Sequence, residues 1–252
     1  MVRALLSASS YIVGIITNCW VPWPLNVLFF WPACKWLRID MTMAEFKLAH
    51  YKRFNDVFTR RVKPEYRPID GDANWVVPAD GKITQISSIS EDSTVTIKGE
   101  LYQIAELVES NAQLTGGKSC LIYLSPRDVH RFVMPTAADV INIQHVPGAL
   151  YPVHPAMQRF CPNLYTQNER VVLTCKTNGV TWYFIAIAAL NVGKIVFPWH
   201  KKDGMLPVSF KKGQELGYFQ MGSSLLLLMP EALVSTLKVQ SDQAIEFGEG
   251  LM

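Results

Sequence analysis

The chain has 252 residues, 49% of them hydrophobic and only 18% charged, with a formal net charge of +3 at pH 7. That charge density lies below the roughly 25% usual for soluble globular domains. The high apolar content without a repeat excludes disordered, collagen-like and coiled-coil chains.

The sign of the charge is uneven along the chain. Residues 1–67 hold ten Lys/Arg against four Asp/Glu, whereas residues 68–252 hold fourteen against seventeen. A basic segment beside an uncharged apolar stretch suits the anionic surface of a membrane. A solvated basic helix face is the plainer reading of the charge alone. Cys19, Cys34, Cys120, Cys161 and Cys175 are odd in number and show no C-x-x-C spacing. Neither a disulfide framework nor a metal site is expected, and a reducing compartment fits best.

In chain order, no charged residue occurs in the 31 positions from Ala4 to Cys34. About 20 apolar residues cross a bilayer, but Pro22, Pro24 and Pro32 interrupt this run and Trp20, Trp23, Trp31 and Trp36 crowd its second half. Proline breaks a helix ladder and tryptophan prefers the headgroup level. The expectation is one apolar helix over about residues 4–20, then a kinked Trp/Pro-rich segment lying in the interface. A single span is the alternative; a signal peptide fits less well, because the run exceeds the usual 7–15 residues. Residues 42–62 predict a helix, with Phe46, Ala49, Phe54, Val57 and Phe58 spaced at three- and four-residue intervals. A connector, KPEYRPID, ends it.

Beyond the connector the pattern turns to short β-type runs bounded by Gly, Pro, Asn and Asp. They are WVVP, KITQISSI, STVTIKG, CLIYLSP, VINIQHV, RVVLTCK, TWYFIAIAAL, KIVF and SLLLLMP, with one helical stretch, LYQIAELVESNAQL, among them. The fold class is therefore α+β. Membrane-associated helices over residues 1–67 precede a β-rich domain over residues 68–252.

Three places combine reactive side chains with turn residues. Pro78-Ala79-Asp80-Gly81 reads first as a hairpin turn. In YLSPRDVHRFVMP, a strand end carries Arg127, Asp128, His130 and Arg131, a concentration of ionisable groups between apolar flanks. Met221-Gly222-Ser223-Ser224 opens the run LLLLM and reads first as a bend.

Together and in this order, these motifs resemble the phosphatidylserine decarboxylases, a pyruvoyl-dependent family. The likeness runs from about Tyr51 onward through RFNDVFTRRVKPEYRPID, PADGKI, YLSPRDVHRFVMP, VPGALYPV, NERVVL, AALNVGKI and KKGQELGYFQMGSS. It implies a proenzyme that cuts itself between Gly222 and Ser223 into a large chain, 1–222, and a small chain, 223–252. Ser223 would attack the Gly222 carbonyl and end as a pyruvoyl group, the only cofactor implied. Its ketone would condense with the amine of phosphatidylserine and accept the electron pair left by CO2. Asp80 and His130 match the family's positions for orienting and accepting the proton of the serine, and His130 is also the nearest candidate proton donor.

Tyr151 and His154 are expected to line the substrate pocket. The implied partners are phosphatidylserine, the membrane, the two chains of the proenzyme and a second copy in a homodimer, with no nucleic acid. The implied location is the cytoplasmic face of the inner membrane, held peripherally. One departure stands out: where members show H-R-x-H-x-P, this chain has His130-Arg131-Phe132-Val133-Met134-Pro135. His130 is the favoured base, with a lost base at Val133 or rescue by His145, His154 or His200 as alternatives. The competing functions are an uncut lipid-binding relative and a hydrolase using Asp80, His130 and Ser223. Asn168-Glu169-Arg170 resembles a family block and equally fits a turn with a surface ion pair.

Overall fold

The uncharged front of the chain forms two helices, α1 (Val2–Asn18) and α2 (Leu25–Leu37). The computed structural model describes residues 2–114, 116–153, 161–190, 194–200, 205–220, 223–234 and 236–252. Pro32 sits inside α2, so the Trp/Pro-rich segment is helical from Leu25 onward; a single proline removes one ladder bond without ending the helix. The α2 helix stops at Arg38, which is left-handed at φ 57° and donates its N–H to the Cys34 and Lys35 carbonyls. Among the described residues no helix is long and apolar enough to cross a membrane.

The helix expected over residues 42–62 does not form. A 3-10 turn (Leu48–His50) and the short α3 (Phe54–Phe58) take its place, and Ala44 forms an isolated bridge with Val62. The cause lies in α2. The buried Asn26 amide donates to the Ala49 carbonyl at 2.9 Å and the Tyr51 carbonyl at 2.7 Å, capturing groups that a continuous helix would have used. Tyr51, Val57 and Phe58 then pack with Phe30, Cys34 and Ile39. Tertiary contacts override a weak local period.

Behind this layer lie, among the described residues, thirteen strands: β1 (Gly81–Ser88), β2 (Thr94–Ile97), β3 (Glu100–Gln103), β4 (Lys118–Leu124), β5 (Arg131–Val133), β6 (Ala138–Val146), β7 (Arg170–Thr177), β8 (Val180–Ala188), β9 (Ile195–Val196), β10 (Val208–Phe210), β11 (Glu215–Phe219), β12 (Ser223–Met229) and β13 (Ala244–Ile245). Two short helices, α4 (Ile104–Val108) and α5 (Leu164–Gln167), interrupt them. The main sheet is antiparallel with order β10-β6-β7-β8-β12-β4-β1-β13. A second sheet is ordered β5-β11-β9, and β2-β3 is a separate hairpin.

The continuous apolar run of β12 has a direct reason. Leu225, Leu227 and Met229 enter a cluster with Phe132, Trp182 and Phe184, while Leu226 and Leu228 enter one with Leu107, Tyr165 and Ile185. A strand buried on both faces needs no polar alternation. The fold is mixed α+β, with helices few and the sheet dominant. Three local expectations change. WVVP makes only an isolated bridge, Val76 to Gly250, and no strand. Glu100–Gln103 is strand, and the helix expected over LYQIAELVESNAQL shrinks to Ile104–Val108. The latter ends at Glu109, left-handed at φ 49°.

Candidate active site

Ser223 is the first residue of β12 and pairs with Leu124 of β4 on one side and Ala188 of β8 on the other. It is fully buried, and its Oγ has no hydrogen-bond partner. By strand alternation its side chain shares the face of Leu225 and Leu227. A buried, unsatisfied hydroxyl costs about 1–3 kcal/mol, so its retention at the head of a central strand needs a reason outside packing. Gly222, the other half of the expected cleavage bond, lies outside the described residues, as does His154.

His130 is also fully buried. Its Nδ1 lies 2.9 Å from the Asp128 carbonyl, which can only accept, so Nδ1 carries the proton and Nε2 presents a lone pair without a partner. The Phe58 ring covers it at a centroid distance of 4.0 Å. Burial pushes the imidazole down to about 3, against a raising effect of the Asp128 carbonyl and with a further lowering by the Arg60 charge. At neutral pH it is a neutral acceptor, and the ordinary imidazole value of about 6.5 does not apply. Backbone pairing ties it to β11, the strand that precedes the serine's in the chain, since Phe219 N–H donates to the His130 carbonyl at 2.9 Å.

Asp80 does not orient His130. Arg67 donates Nε to Oδ1 at 3.0 Å and Nη2 to Oδ2 at 2.8 Å, and the Phe247 amide donates to Oδ1 at 2.9 Å. The PADG tetrapeptide is not a hairpin turn either: Ala79 bridges to Phe132, and the Val133 amide donates to the Pro78 carbonyl. This register puts Asp80, Arg131 and Val133 on one face and Ala79 with Phe132 on the other. The glycine that follows is obligatory. Gly81 has φ +149°, and a Cβ there would lie 2.4 Å from the Tyr123 carbonyl oxygen.

A cavity of about 420 Å³ opens on the Asp80 side, with Arg67, Arg131, Val133, Gly213, Glu215 and Phe247 in its wall. Val133 therefore stands beside the Arg67–Asp80 pair, where the resemblance places a histidine. An assembled Asp–His–Ser relay is not present, because no hydrogen bond joins the three side chains.

The other expected residues separate clearly. Tyr151 is half-buried, and its N–H is held by Asn168 Oδ1 at 3.0 Å. The Asn168 amide also donates to the carbonyl of Ala188, the partner of Ser223, at 2.9 Å. Tyr151 is thus one link from the serine's neighbouring strand. His145 lies on exposed β6, bonded to Glu169 at 3.0 Å. Three inter-strand steps separate it from β12, about 14 Å, beyond hydrogen-bond reach of Ser223. His200 is exposed and packs on Trp199. Arg170 is fully buried, donates to the Leu107 and Glu106 carbonyls, each at 2.8 Å, and reaches the half-exposed Glu109 at 3.1 Å. Arg60, Arg67 and Phe58 surround the site without having been singled out in the sequence. Among the described residues no group of His, Cys, Asp and Glu could hold a metal ion, and all five cysteines are free.

Known proteins similar to this chain carry one description. A family model described as phosphatidylserine decarboxylase matches residues 54–252. A phosphatidylserine decarboxylase proenzyme of Acidovorax ebreus is 35% identical over 232 residues, 84% of this chain and 82% of its own. The proenzyme of the same name from Methylibium petroleiphilum is 36% identical over 217 residues, 78% of this chain and 76% of its own. That of Legionella pneumophila subsp. pneumophila is 33% identical over 211 residues, 76% of this chain and 74% of its own. The chain belongs to the phosphatidylserine decarboxylase family.

Proposed function

We propose that this member of the phosphatidylserine decarboxylase family processes itself at Gly222–Ser223 and converts phosphatidylserine to phosphatidylethanolamine with the group so formed. The observation that carries the reading is Ser223 itself, a fully buried hydroxyl without a partner at the head of the central strand. In the cut, Oγ bonds to the Gly222 carbonyl carbon, the Gly222–Ser223 amide breaks, and the acyl group passes from nitrogen to oxygen. Loss of the Ser223 α-proton then expels the Gly222 carboxylate. The resulting dehydroalanine takes up water and releases ammonia, leaving a pyruvoyl group at the head of the small chain. That group supplies a ketone as an electron sink for decarboxylation.

The protein's own residues do the rest. His130 Nε2 is the described buried imidazole with a free lone pair, and it serves as the acceptor for the serine proton. The β4 and β8 strands hold the small chain after the cut. Burial of Leu225, Leu226, Leu227, Leu228 and Met229 on β12, all 0% exposed, contributes on the order of 10 kcal/mol at 1.5–3 kcal/mol per side chain. The site residues fit such a group, because the first residue of β12 is enclosed yet leaves one polar atom uncommitted.

The lipid substrate accounts for the front of the chain. Ile12, Ile15, Ile16, Trp20, Trp23, Leu28, Phe29, Trp31 and Trp36 are all exposed, with Trp36 reaching 83%. An apolar, tryptophan-rich surface beside Lys35 and Arg38 fits peripheral attachment to an anionic membrane, on the cytoplasmic face of the inner membrane. Sedimentation with vesicles containing anionic lipid should capture the chain, and vesicles of neutral lipid should capture it less.

Intact-mass measurement tests the function. The expected result is two fragments, the smaller one lacking the Ser223 amine and reacting with carbonyl reagents, and a Ser223→Ala chain that stays whole. A wild-type chain that remains whole after long incubation, or that releases no CO2 from phosphatidylserine, overturns the reading. A whole chain that cleaves esters would instead make it a hydrolase.

A further inference from the structure

Four arginines of this chain are buried at 9% exposure or less or sit largely enclosed beside the site, and they differ in one respect. Arg67 pairs with Asp80, Arg131 with Glu215 at 2.7 Å, and Arg170 with Glu109 at 3.1 Å. Arg60 is 1% exposed and forms no ion pair among the described residues. Its single hydrogen bond runs from Nη2 to the Arg127 carbonyl at 3.2 Å, and its Nε and Nη1 have no partner.

The two carboxylates whose charges act most on Arg60 are already engaged, and Glu45 and Asp56, which line the same cavity, form no ion pair with it among the described residues. Asp80 is the strongest electrostatic influence on it, but both Asp80 oxygens accept from Arg67. Asp40 accepts from the Thr42 amide and hydroxyl, each at 2.8 Å. Burying a cation without a counter-charge costs several kcal/mol. A chain that keeps such a residue at the seam between its helical layer and its sheet has an anion to receive.

The surroundings say where that anion comes from. Arg60 is part of the wall of a polar cavity of about 280 Å³, together with Tyr51, Thr59, Arg61, Arg131 and Tyr218. This cavity shares Glu45, Arg61 and Arg131 with the larger one beside Val133. On its inner side Arg60 is close enough to His130 for its charge to act on the imidazole. The α2 helix, which carries the exposed Trp31 and Trp36, packs against the same Tyr51–Phe58 segment.

We propose that Arg60 holds the phosphodiester of the phospholipid headgroup, with Arg61 and Arg131, both bonded to Glu215, beside it in the cavity wall. The proposal rests on the phosphatidylserine reading above and specifies which substrate atom meets which side chain. The serine carboxylate is the poorer partner on chemical grounds. It leaves as CO2, and a cation bound to it would stabilise the ground state that the reaction must leave. A phosphodiester keeps its charge throughout, so pairing it binds the headgroup without opposing the chemistry.

Thermal unfolding of the full chain as purified, in neutral detergent, tests this independently of turnover. The probes are glycerophosphoethanolamine, which has the phosphodiester but no carboxylate, and L-serine, which has the reverse. Glycerophosphoethanolamine is expected to raise the wild-type midpoint by several degrees and L-serine to leave it unchanged. Arg60→Met should unfold at or above the wild-type temperature without ligand, since an unpaired buried charge is gone. It should lose the glycerophosphoethanolamine shift, and Arg60→Lys should keep part of it. In a chain that cuts itself, Arg60→Met should raise KM for phosphatidylserine at least tenfold with a smaller change in kcat. An Arg60→Met chain that fails to fold, or unfolds well below wild type, would show a structural guanidinium and overturn the proposal. So would a retained ligand shift, or a shift produced by L-serine alone. Failure of the wild type to cut or release CO2 bears on the function and leaves the binding result standing by itself.

Discussion

Removing Arg67 should destabilise the chain more than any single change at its acidic partner. The side chains of Arg67 and Asp80 are 7% and 6% exposed. The pair contains two close nitrogen–oxygen contacts, at 3.0 and 2.8 Å, and the Phe247 amide adds a third donor to the carboxylate. Arg67→Met strips the carboxylate of both guanidinium bonds and leaves a buried anion with one amide. Breaking a buried pair in this way costs about 3–5 kcal/mol. Asp80→Asn keeps an acceptor for the Phe247 amide and leaves Arg67 paired to Glu246 at 2.9 Å, so its cost should be about 1–3 kcal/mol. The sign then reverses in combination. Asp80→Asn, destabilising alone, should restore about 1–2 kcal/mol when added to Arg67→Met, because it removes the stranded charge. Urea unfolding in mild detergent reads this directly. The buried Trp75–Trp182 pair, 4.7 Å between ring centroids, reports the core, and the exposed N-terminal tryptophans supply a constant background. A loss below 1 kcal/mol for Arg67→Met, or a double variant less stable than Arg67→Met, would refute the view that this carboxylate is held chiefly by that guanidinium.

Val133→His should shorten the half-time of self-cleavage by a factor on the order of 10², read by intact mass over time. The register puts position 133 on the Asp80 face, with cavity space beside it. An unchanged rate, with His130→Ala abolishing the cut, would leave His130 as the base. His130, pushed down to about 3 by burial, binds a proton in the unfolded chain below about pH 6.5 but not in the folded one. Stability should therefore be fully present above that pH and fall by about 1.4 kcal/mol per unit as pH drops toward 3. The His130→Phe chain should show a shallower acid slope in urea unfolding across the same window. Gly81→Ala should cost more than about 2 kcal/mol, since the added Cβ meets a backbone oxygen at 2.4 Å at a φ of +149°. A neutral effect on the urea midpoint would mean the strand can shift locally.

The parts legible in the sequence were those written in local runs. Long apolar segments became β4, β6, β7, β8 and β12, and the uncharged front became helix. Strands of two to five residues such as β5, β9, β10, β11 and β13 are mostly too short to show a period, although KIVF marked β9. Residues 42–62 misled because the three- and four-residue spacing of their aromatics is also what a folded-back segment needs to pack on α2. The carbonyl-capturing Asn26 that decides between the two lies far upstream. Ser223 and His130 could be singled out because reactive side chains stand there among apolar ones. Arg60 could not. It adjoins the exposed Arg61 in sequence, and only the fold reveals that one guanidinium is buried and the other is not. Asp80 was recognised as a reactive carboxylate, but its partner Arg67 was hidden in a Pro/Arg-rich connector.

The placement of β12 has a consequence for how the molecule is made. It is the twelfth of the thirteen described strands to leave the ribosome, yet it lies between β8 and β4, which do not pair with each other. Until it arrives, β10-β6-β7-β8 and β4-β1 are separate half-sheets, each offering an open edge to any other chain. At about 5–20 residues per second of synthesis, those edges stay uncovered for seconds while the apolar helices have long since been free to find a bilayer. The strand that closes the sheet is the one that begins with Ser223. The reactive serine therefore cannot meet its surroundings before the two half-sheets are joined, and assembly itself delays the cut until there is a joined sheet to hold both pieces.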